Sequence, residues 1–187
     1  MKKIAIFCSG SGSNAEKICV FFSKSKDVSV VLIATNNKSA FVIERAKKLA
    51  VPFFVFSKKE LNSFSLLQRK LEEKQVSHIV LAGFLLKIPS IMINAYAKKI
   101  INIHPSLLPK YGGKGMYGKN VHLAVLNNKE KETGITIHLV NEFYDEGKIL
   151  FQKKCSVDKN ETLSSLSKKV QSLEHQFFPL AIKTFLS

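Results

Sequence analysis

The sequence contains few arginines, and this shortage limits the kinds of partner that its strong positive charge can indicate. Arg45 and Arg69 are the only arginines, so the formal charge of +15 comes mostly from lysines scattered along the 187 residues. Bidentate recognition of phosphates and bases favours arginine, so a diffuse lysine surface that attracts small anions fits this composition better than a nucleic-acid interface. We therefore expect no nucleic-acid partner. Because of the net charge, a basic nucleic-acid-binding module stays as the alternative.

Cysteines are also few, and long apolar runs are missing. Cys8, Cys19 and Cys155 lie far apart and form no CxxC or other metal-ligand spacing, which is typical of reduced cytosolic thiols. The apolar stretch from Ile4 to Cys8 is too short for a signal-peptide core, and no later run approaches the roughly 18 residues of a membrane span. We expect a cytoplasmic protein with no membrane partner and no bound metal, either a monomer or a homodimer.

The first half of the chain alternates short β-branched runs with longer amphipathic stretches. This βαβ pattern is typical of a parallel sheet with helices on both faces. Strands are predicted at Ile4 to Cys8, Val28 to Ala34, Phe53 to Phe56, His78 to Ala82 and Ile100 to Ile103. Helices are predicted at Ala15 to Lys24, Phe41 to Leu49 and Glu60 to Lys74, with a short helical stretch before Lys98.

The pattern changes at Pro105, where prolines and glycines predict a long loop that reaches Gly118. A helix from Asn120 to Asn127, two strands at Gly134 to Asn141 and Ile149 to Cys155, and a closing helix from Thr162 to Phe185 are predicted beyond it. The two strands flank an acidic turn, which indicates an antiparallel hairpin. With 45% hydrophobic residues, the chain is predicted to form a single domain over 1–187: a Rossmann-like open α/β sheet, parallel in its amino-terminal half.

A glycine-rich turn, Ser9 to Asn14, joins the first strand to the first helix. Backbone N–H groups and the helix dipole at such a turn can hold a phosphate, although tight packing alone is the structural alternative. The second strand ends in Thr35, Asn36 and Asn37, with no acid for a ribose hydroxyl. A single phosphate of a mononucleotide-like ligand therefore fits better than a dinucleotide.

Asn102 and His104 stand at the carboxyl end of the fifth strand, where ligands bind in open α/β sheets. Two residues apart on a strand, they project to the same side and can supply an oxyanion donor beside a general acid or base. A buried structural histidine is the alternative for His104, and a solvated turn acid is the alternative for Asp145. His138 shares a strand face with Thr136 and could equally be a core polar group.

Several segments together resemble the folate-dependent formyltransferases. The run from Asn102 to Tyr111, NIHPSLLPKY, is similar to the family signature, and the turn Tyr144 to Gly147 is similar to its acidic turn. Ser9 to Asn14, Ala82 to Ile88 and Val170 to His175 match further family segments in the family's order, across nearly the whole chain. Together these matches make the resemblance to this family specific.

The resemblance implies roles for individual residues. Asn102, His104 and Asp145 would be catalytic, Gly12, Ser13 and Asn14 would bind a substrate phosphate, and Gln171 and Glu174 would contact the substrate. Asn102, with Leu85, Leu86, Lys87 and Ile88, would bind the folate, and Lys58 or Lys59 could reach its tail. The segment of about 1–100 would then be the phosphate-binding half, and about 101–187 the catalytic and folate-binding half.

The implied reaction transfers a formyl group from 10-formyltetrahydrofolate to the amine of 5-phosphoribosylglycinamide, a step of purine synthesis towards IMP. Asp145 would favour a charged His104 and raise its pKa towards working pH. Members that act on methionyl-tRNA, and the family's deformylases, carry additional domains for which this chain has no room. A formyltransferase acting on another amine, such as a nucleotide sugar or an aminoacyl-tRNA, is the alternative. The glycine-rich loop Gly112 to Gly118 is longer than in many relatives.

Overall fold

A computed structural model describes all residues, 1–187, in seven strands and seven helices. The strands are β1 (Lys2–Phe7), β2 (Val28–Thr35), β3 (Phe53–Val55), β4 (His78–Leu81), β5 (Ile100–His104), β6 (Glu132–Leu139) and β7 (Ile149–Ser156). The helices are α1 (Ser13–Phe22), α2 (Val42–Lys48), α3 (Lys58–Ser63), α4 (Ser65–Glu73), α5 (Ser90–Ala95), α6 (Lys119–Asn127) and α7 (Leu163–Leu186).

The strands form one sheet in the order β3-β2-β1-β4-β5-β6-β7. Strand β1 pairs in parallel with β2 and β4, and β2 pairs in parallel with β3, whereas β6 and β7 are antiparallel. This confirms the predicted α/β class, with a parallel amino-terminal half and an antiparallel hairpin in the carboxyl-terminal part. By its backbone contacts the chain divides into two compact units, Met1–Ile101 with Leu186–Ser187, and Asn102–Phe185.

The first unit is built around strands with fully buried side chains. Ile4, Ile6 and Phe7 of β1 are inaccessible to solvent, as expected for a central strand covered on both faces. The Phe7 ring packs edge-on against Phe84 with centroids 5.5 Å apart, and it lies 5.7 Å from the ring of Phe56. The segment after β4 is thereby packed against the end of β1.

The predicted single helix from Glu60 to Lys74 is wrong, because the structure has two helices there. Phe64 separates α3 from α4 in the left-handed conformation with φ 59°, and its side chain is completely buried. Ser57 begins α3 with a capping box, in which its hydroxyl accepts from the Glu60 N–H while the Glu60 carboxylate accepts from the Ser57 N–H.

The second unit contains the predicted hairpin, the loop and the closing helix. In the hairpin, Gly134 faces Lys154, and a Cβ at Gly134 would come within 2.0 Å of the Lys153 carbonyl oxygen, so the close strand approach requires glycine. Thr162 caps the start of α7, because its hydroxyl accepts from the Ser165 N–H at 3.1 Å.

Candidate active site

Strand β5 carries Asn102 and His104 to the start of the long loop. Its neighbours Ile101 and Ile103 are buried, and His104 itself is only 4% exposed. The predicted strand ended at Ile103, whereas the structure continues it to His104, so the imidazole is held by regular backbone. Asn102 is half-buried and lies two residues before His104, so both side chains project from the same side of the strand.

His104 has a defined partner for each ring nitrogen. Its Nε2 lies 2.7 Å from the carbonyl oxygen of Tyr111, and because a carbonyl only accepts, Nε2 carries the hydrogen in the neutral ring. Its Nδ1 lies 3.5 Å from Oδ2 of Asp145. The neutral ring therefore presents a bare nitrogen to a carboxylate, and protonation there would complete an ion pair.

Asp145 lies between two imidazoles. Its Oδ2 also accepts a hydrogen bond of 2.9 Å from the Gly113 N–H, and its Oδ1 lies 3.5 Å from Nε2 of His138. Burial disfavours the ionised carboxyl, but the contacts with His138, His104 and Gly113 outweigh burial and hold the pKa of Asp145 below its usual value. The carboxylate is therefore ionised at neutral pH.

His138, for which a core polar role is the alternative, lies in the same cluster. Its Nδ1 donates to the Leu139 carbonyl at 2.8 Å, and in the neutral ring its Nε2 accepts from the Asn102 amide nitrogen at 3.1 Å. The side chain is only 3% exposed. His138 thus orients Asn102, and one amide hydrogen of Asn102 stays available for another acceptor.

Burial governs the charge state of His104. Loss of solvent lowers its pKa, and nearby His138 lowers it further, whereas Asp145 and the Tyr111 carbonyl raise it, with a net decrease. Asp145 therefore acts in the expected direction, but the expected net rise towards working pH is wrong, because burial is the larger effect. At neutral pH the ring is neutral and can accept a proton.

A third buried histidine, His122, was not predicted to be near the site. It lies on α6, its pKa is lowered by burial and then by the proximity of His104, and its Nδ1 has no hydrogen-bond partner. An isolated histidine on an apolar helix face has no sequence signal that distinguishes it from a core residue. No group of three or more His, Cys, Asp or Glu side chains is placed to hold a metal ion.

The loop after β5 is fastened to the hairpin by Thr136. Its hydroxyl donates to the Ser106 carbonyl at 2.7 Å and accepts from the Leu108 N–H at 3.0 Å. Further along, a Cβ at Gly112 would lie 2.6 Å from Leu108 Cδ2 and 3.2 Å from Asp145 Cβ. Glycine at this position therefore lets the loop backbone pass close to Asp145.

The glycine-rich turn of the first unit is held from several directions. Gly12 caps α1 at φ 75°, and a Cβ there would lie 2.3 Å from Val42 Cγ2, so both its conformation and its packing require glycine. Arg45, which has no predicted role, donates from Nε to the Ser11 carbonyl at 2.9 Å. Ser13 and Asn14 form the first turn of α1, at the end of the helix whose dipole favours a negative charge.

Ser9 connects this turn with the predicted folate segment. Its hydroxyl accepts from the Leu85 N–H at 3.0 Å and donates to the Asn36 amide oxygen at 2.6 Å. Leu85 is 52% exposed and Ile88 is buried, with Leu86 half-buried and Lys87 exposed between them, in irregular backbone. An exposed leucine in irregular backbone suits a segment that contacts a flat apolar ligand.

The remaining predicted residues lie on helices. Gln171 and Glu174 are three positions apart on α7 and share a face of that helix. Lys58 and Lys59 are exposed in the first turn of α3. No helix combines the length and the apolar character needed to span a membrane.

The chain is similar to known proteins along almost its whole length. Residues 2–182 match the family model described as formyl transferase. Phosphoribosylglycinamide formyltransferase of Bacillus subtilis is 37% identical over 191 residues, which cover 100% of this chain and 95% of that protein. The chloroplastic enzyme of the same name from Arabidopsis thaliana is 43% identical over 185 residues, covering 95% of this chain but 63% of that longer protein.

Solved structures agree with these sequence matches. Phosphoribosylglycinamide formyltransferase from Anaplasma phagocytophilum has a TM-score of 0.91 at 30% identity, covering 99% of this chain and 86% of that one. Glycinamide ribonucleotide transformylase 1 from Geobacillus kaustophilus has a TM-score of 0.90 at 35% identity, with 100% of both chains covered. The chain belongs to the formyl transferase family.

Proposed function

We propose that this protein transfers the formyl group of 10-formyltetrahydrofolate to the amine of 5-phosphoribosylglycinamide, giving formylglycinamide ribonucleotide and tetrahydrofolate in purine biosynthesis. The observation that carries the chemistry is the buried cluster of Asn102, His104, His138 and Asp145, in which neutral His104 turns a bare nitrogen towards the Asp145 carboxylate and His138 contacts Asn102. The proposed substrate is supported by the names of the matched enzymes from Bacillus subtilis and Anaplasma phagocytophilum.

Transfer begins with attack of the substrate amine on the formyl carbon, which forms a tetrahedral intermediate with negative charge on oxygen. The free amide hydrogen of Asn102 donates to this oxygen, since the other hydrogen is held by His138. Removal of one such donor typically costs roughly 10²- to 10³-fold in turnover. His138 is a positioning residue in this scheme.

Neutral His104 accepts the proton released by the attacking amine. The imidazolium that results has hydrogens on both nitrogens, one donated to the Tyr111 carbonyl and the other directed at Asp145. The same proton then passes to N10 as the bond between the formyl carbon and N10 breaks. The ring returns to its neutral state, and no covalent enzyme intermediate and no metal ion takes part.

The substrates are assigned to separate segments. Gly12, Ser13 and Asn14 hold the phosphate with the turn before α1, and the segment 85–88 together with Asn102 holds the folate. Gln171 and Glu174 of α7 contact the glycinamide substrate. The three cysteines form no disulfide, which is consistent with a reducing compartment, and we place the protein in the cytoplasm as a monomer or homodimer without nucleic acid.

An acceptor panel tests the proposal. Purified protein is incubated with 10-formyltetrahydrofolate and, in separate reactions, 5-phosphoribosylglycinamide, an amino-sugar nucleotide and methionyl-tRNA, and tetrahydrofolate release is followed. Only 5-phosphoribosylglycinamide is expected to be formylated, and His104→Ala is expected to abolish most of the turnover. Formylation of another acceptor at a higher kcat/KM would replace the proposed substrate, and saturable tRNA binding at physiological salt would favour the nucleic-acid alternative.

A further inference from the structure

Tyr111, whose carbonyl contacts His104, takes part in a second set of contacts that the transfer scheme does not use. The Tyr111 carbonyl, which receives the His104 Nε2–H, belongs to a residue whose hydroxyl donates to Oε1 of Glu130 at 2.9 Å. The ammonium of Lys110 binds the same Glu130 oxygen at 3.0 Å. These contacts hold the pKa of Glu130 below its usual value, so that it is a carboxylate at neutral pH.

The backbone at Tyr111 needs such an anchor, because no regular structure holds it. Tyr111 has φ 58°, a left-handed conformation that is uncommon for a residue with a side chain, and Gly112 and Gly113 follow it. On the preceding side, the Ser106 hydroxyl donates to the Lys110 carbonyl at 2.6 Å. The position of the Tyr111 carbonyl therefore depends on the contacts of Lys110 and on the hydrogen bond of the Tyr111 hydroxyl.

We propose that Glu130 is a positioning residue: by holding the Tyr111 hydroxyl and the Lys110 ammonium, it keeps the Tyr111 carbonyl where it fixes the hydrogen of neutral His104 on Nε2. Nδ1 is then left bare opposite Asp145, as the transfer requires. The catalytic consequence rests on the proposed function, whereas the effect on the ring itself does not. Glu130 lies on the connection between α6 and β6 and touches no substrate group in this scheme.

Two acceptors compete for the one hydrogen of the neutral His104 ring. Asp145 attracts the ring hydrogen to Nδ1 and the Tyr111 carbonyl attracts it to Nε2, and the neutral ring has only one to give. His138 is the other titratable group that acts on His104, and His104 in turn lowers the pKa of His122. If the carbonyl moves away, the hydrogen shifts to Nδ1, and the ring has no bare nitrogen opposite the carboxylate.

The shift of this hydrogen can be measured directly. We expect Glu130→Ala and Tyr111→Phe each to move neutral His104 towards the Nδ1–H form, as read from imidazole ¹⁵N chemical shifts, and to lower its pKa. Turnover should fall roughly 3- to 10-fold, the range for one hydrogen bond near a charged group, with both Michaelis constants within about twofold. The double variant should be little worse than either single one, since the two residues act as a unit.

Two controls separate positioning from general damage. Glu130→Gln keeps an acceptor for the Tyr111 hydroxyl and should retain the wild-type ring form and most of the turnover. Glu132→Ala removes a nearby exposed acid that pairs with Lys154 instead, and should change neither reading. A Glu130→Ala protein with the wild-type imidazole spectrum overturns the proposal, whatever its turnover. A wild-type enzyme that fails to formylate 5-phosphoribosylglycinamide overturns the proposed function and leaves the ring measurement intact.

Discussion

Asparagine in place of Asp145 removes the charge of this side chain while keeping its size. Asp145 has φ 59°, and asparagine tolerates this left-handed conformation as well as aspartate does. The new amide oxygen can take the place of Oδ2 and still accept from the Gly113 N–H, and the NH₂ group then takes the place of Oδ1, opposite Nε2 of His138. We therefore expect Asp145→Asn to fold normally, with an unfolding free energy within about 1 kcal/mol of wild type.

The charged ring, in contrast, loses its partner. A charge pair at the 3.5 Å between His104 and Asp145 is worth about 5 kcal/mol at an effective dielectric constant of about 20. Asp145 is 12% exposed and shares its charge with His138, so only part of this energy is available to His104. If about half is lost when the ring becomes protonated, turnover falls on the order of 100-fold, within the range of general acid–base catalysis.

Turnover against pH is the measurement that tests this reasoning. The pKa of His104, already lowered by burial, should fall further in Asp145→Asn, so the acid limb of the profile moves to lower pH while the plateau drops. Glu146→Gln is the matched control, since it removes an exposed acid from the same turn. His104→Ala should be at least as damaging, and the double variant little worse. Near wild-type turnover of Asp145→Asn across the pH range would show that Asp145 is only a turn residue.

Further outcomes are expected elsewhere in the molecule. Ser13→Ala should raise the KM for the phosphoribosyl substrate roughly tenfold and leave the folate KM unchanged. Equal changes in both KM values would show that the phosphate does not bind at this turn. Gly12→Ala should lower the unfolding free energy in urea by about 2 kcal/mol, since its Cβ would lie 2.3 Å from Val42, and unchanged stability would refute that contact. Exhaustive chelation should leave turnover intact, and activity restored by zinc would contradict the scheme. Lys169→Met should destabilise the protein at pH 7. Its contact lowers the pKa of Glu161 from 4.5 to about 2, so this loss should disappear as pH falls through that interval, and a pH-independent loss would argue against the pair.

The order of strands and helices was predictable because each element carries a clear period in the sequence. The break at Phe64 was not, because Leu61, Phe64, Leu67 and Leu71 are all fully buried and keep a helical spacing through it. The spacing of apolar residues indicates which side chains face the core, and here the helical spacing continues across Phe64, whose backbone is left-handed. The period therefore predicted one helix where the chain forms two.

The residues of the candidate site were predictable only in part. The positions of Asn102 and His104 follow from the end of a strand, and Asp145 entered through a family resemblance. His138 reaches the cluster because β6 pairs with β7 and the intervening turn places Asp145 opposite its ring. Such partners depend on strand register and turn geometry, which local sequence does not determine.

The ring hydrogens of the site are set by backbone carbonyls, which have no sequence signature at all. Tyr111 holds the hydrogen of His104 on Nε2, and Leu139 holds the hydrogen of His138 on Nδ1. Nδ1 of neutral His104 therefore faces Asp145 without a hydrogen, and a proton gained there would face the carboxylate. It follows that a substitution which shifts the loop backbone, as at Gly112, can alter proton transfer while every catalytic side chain remains in place.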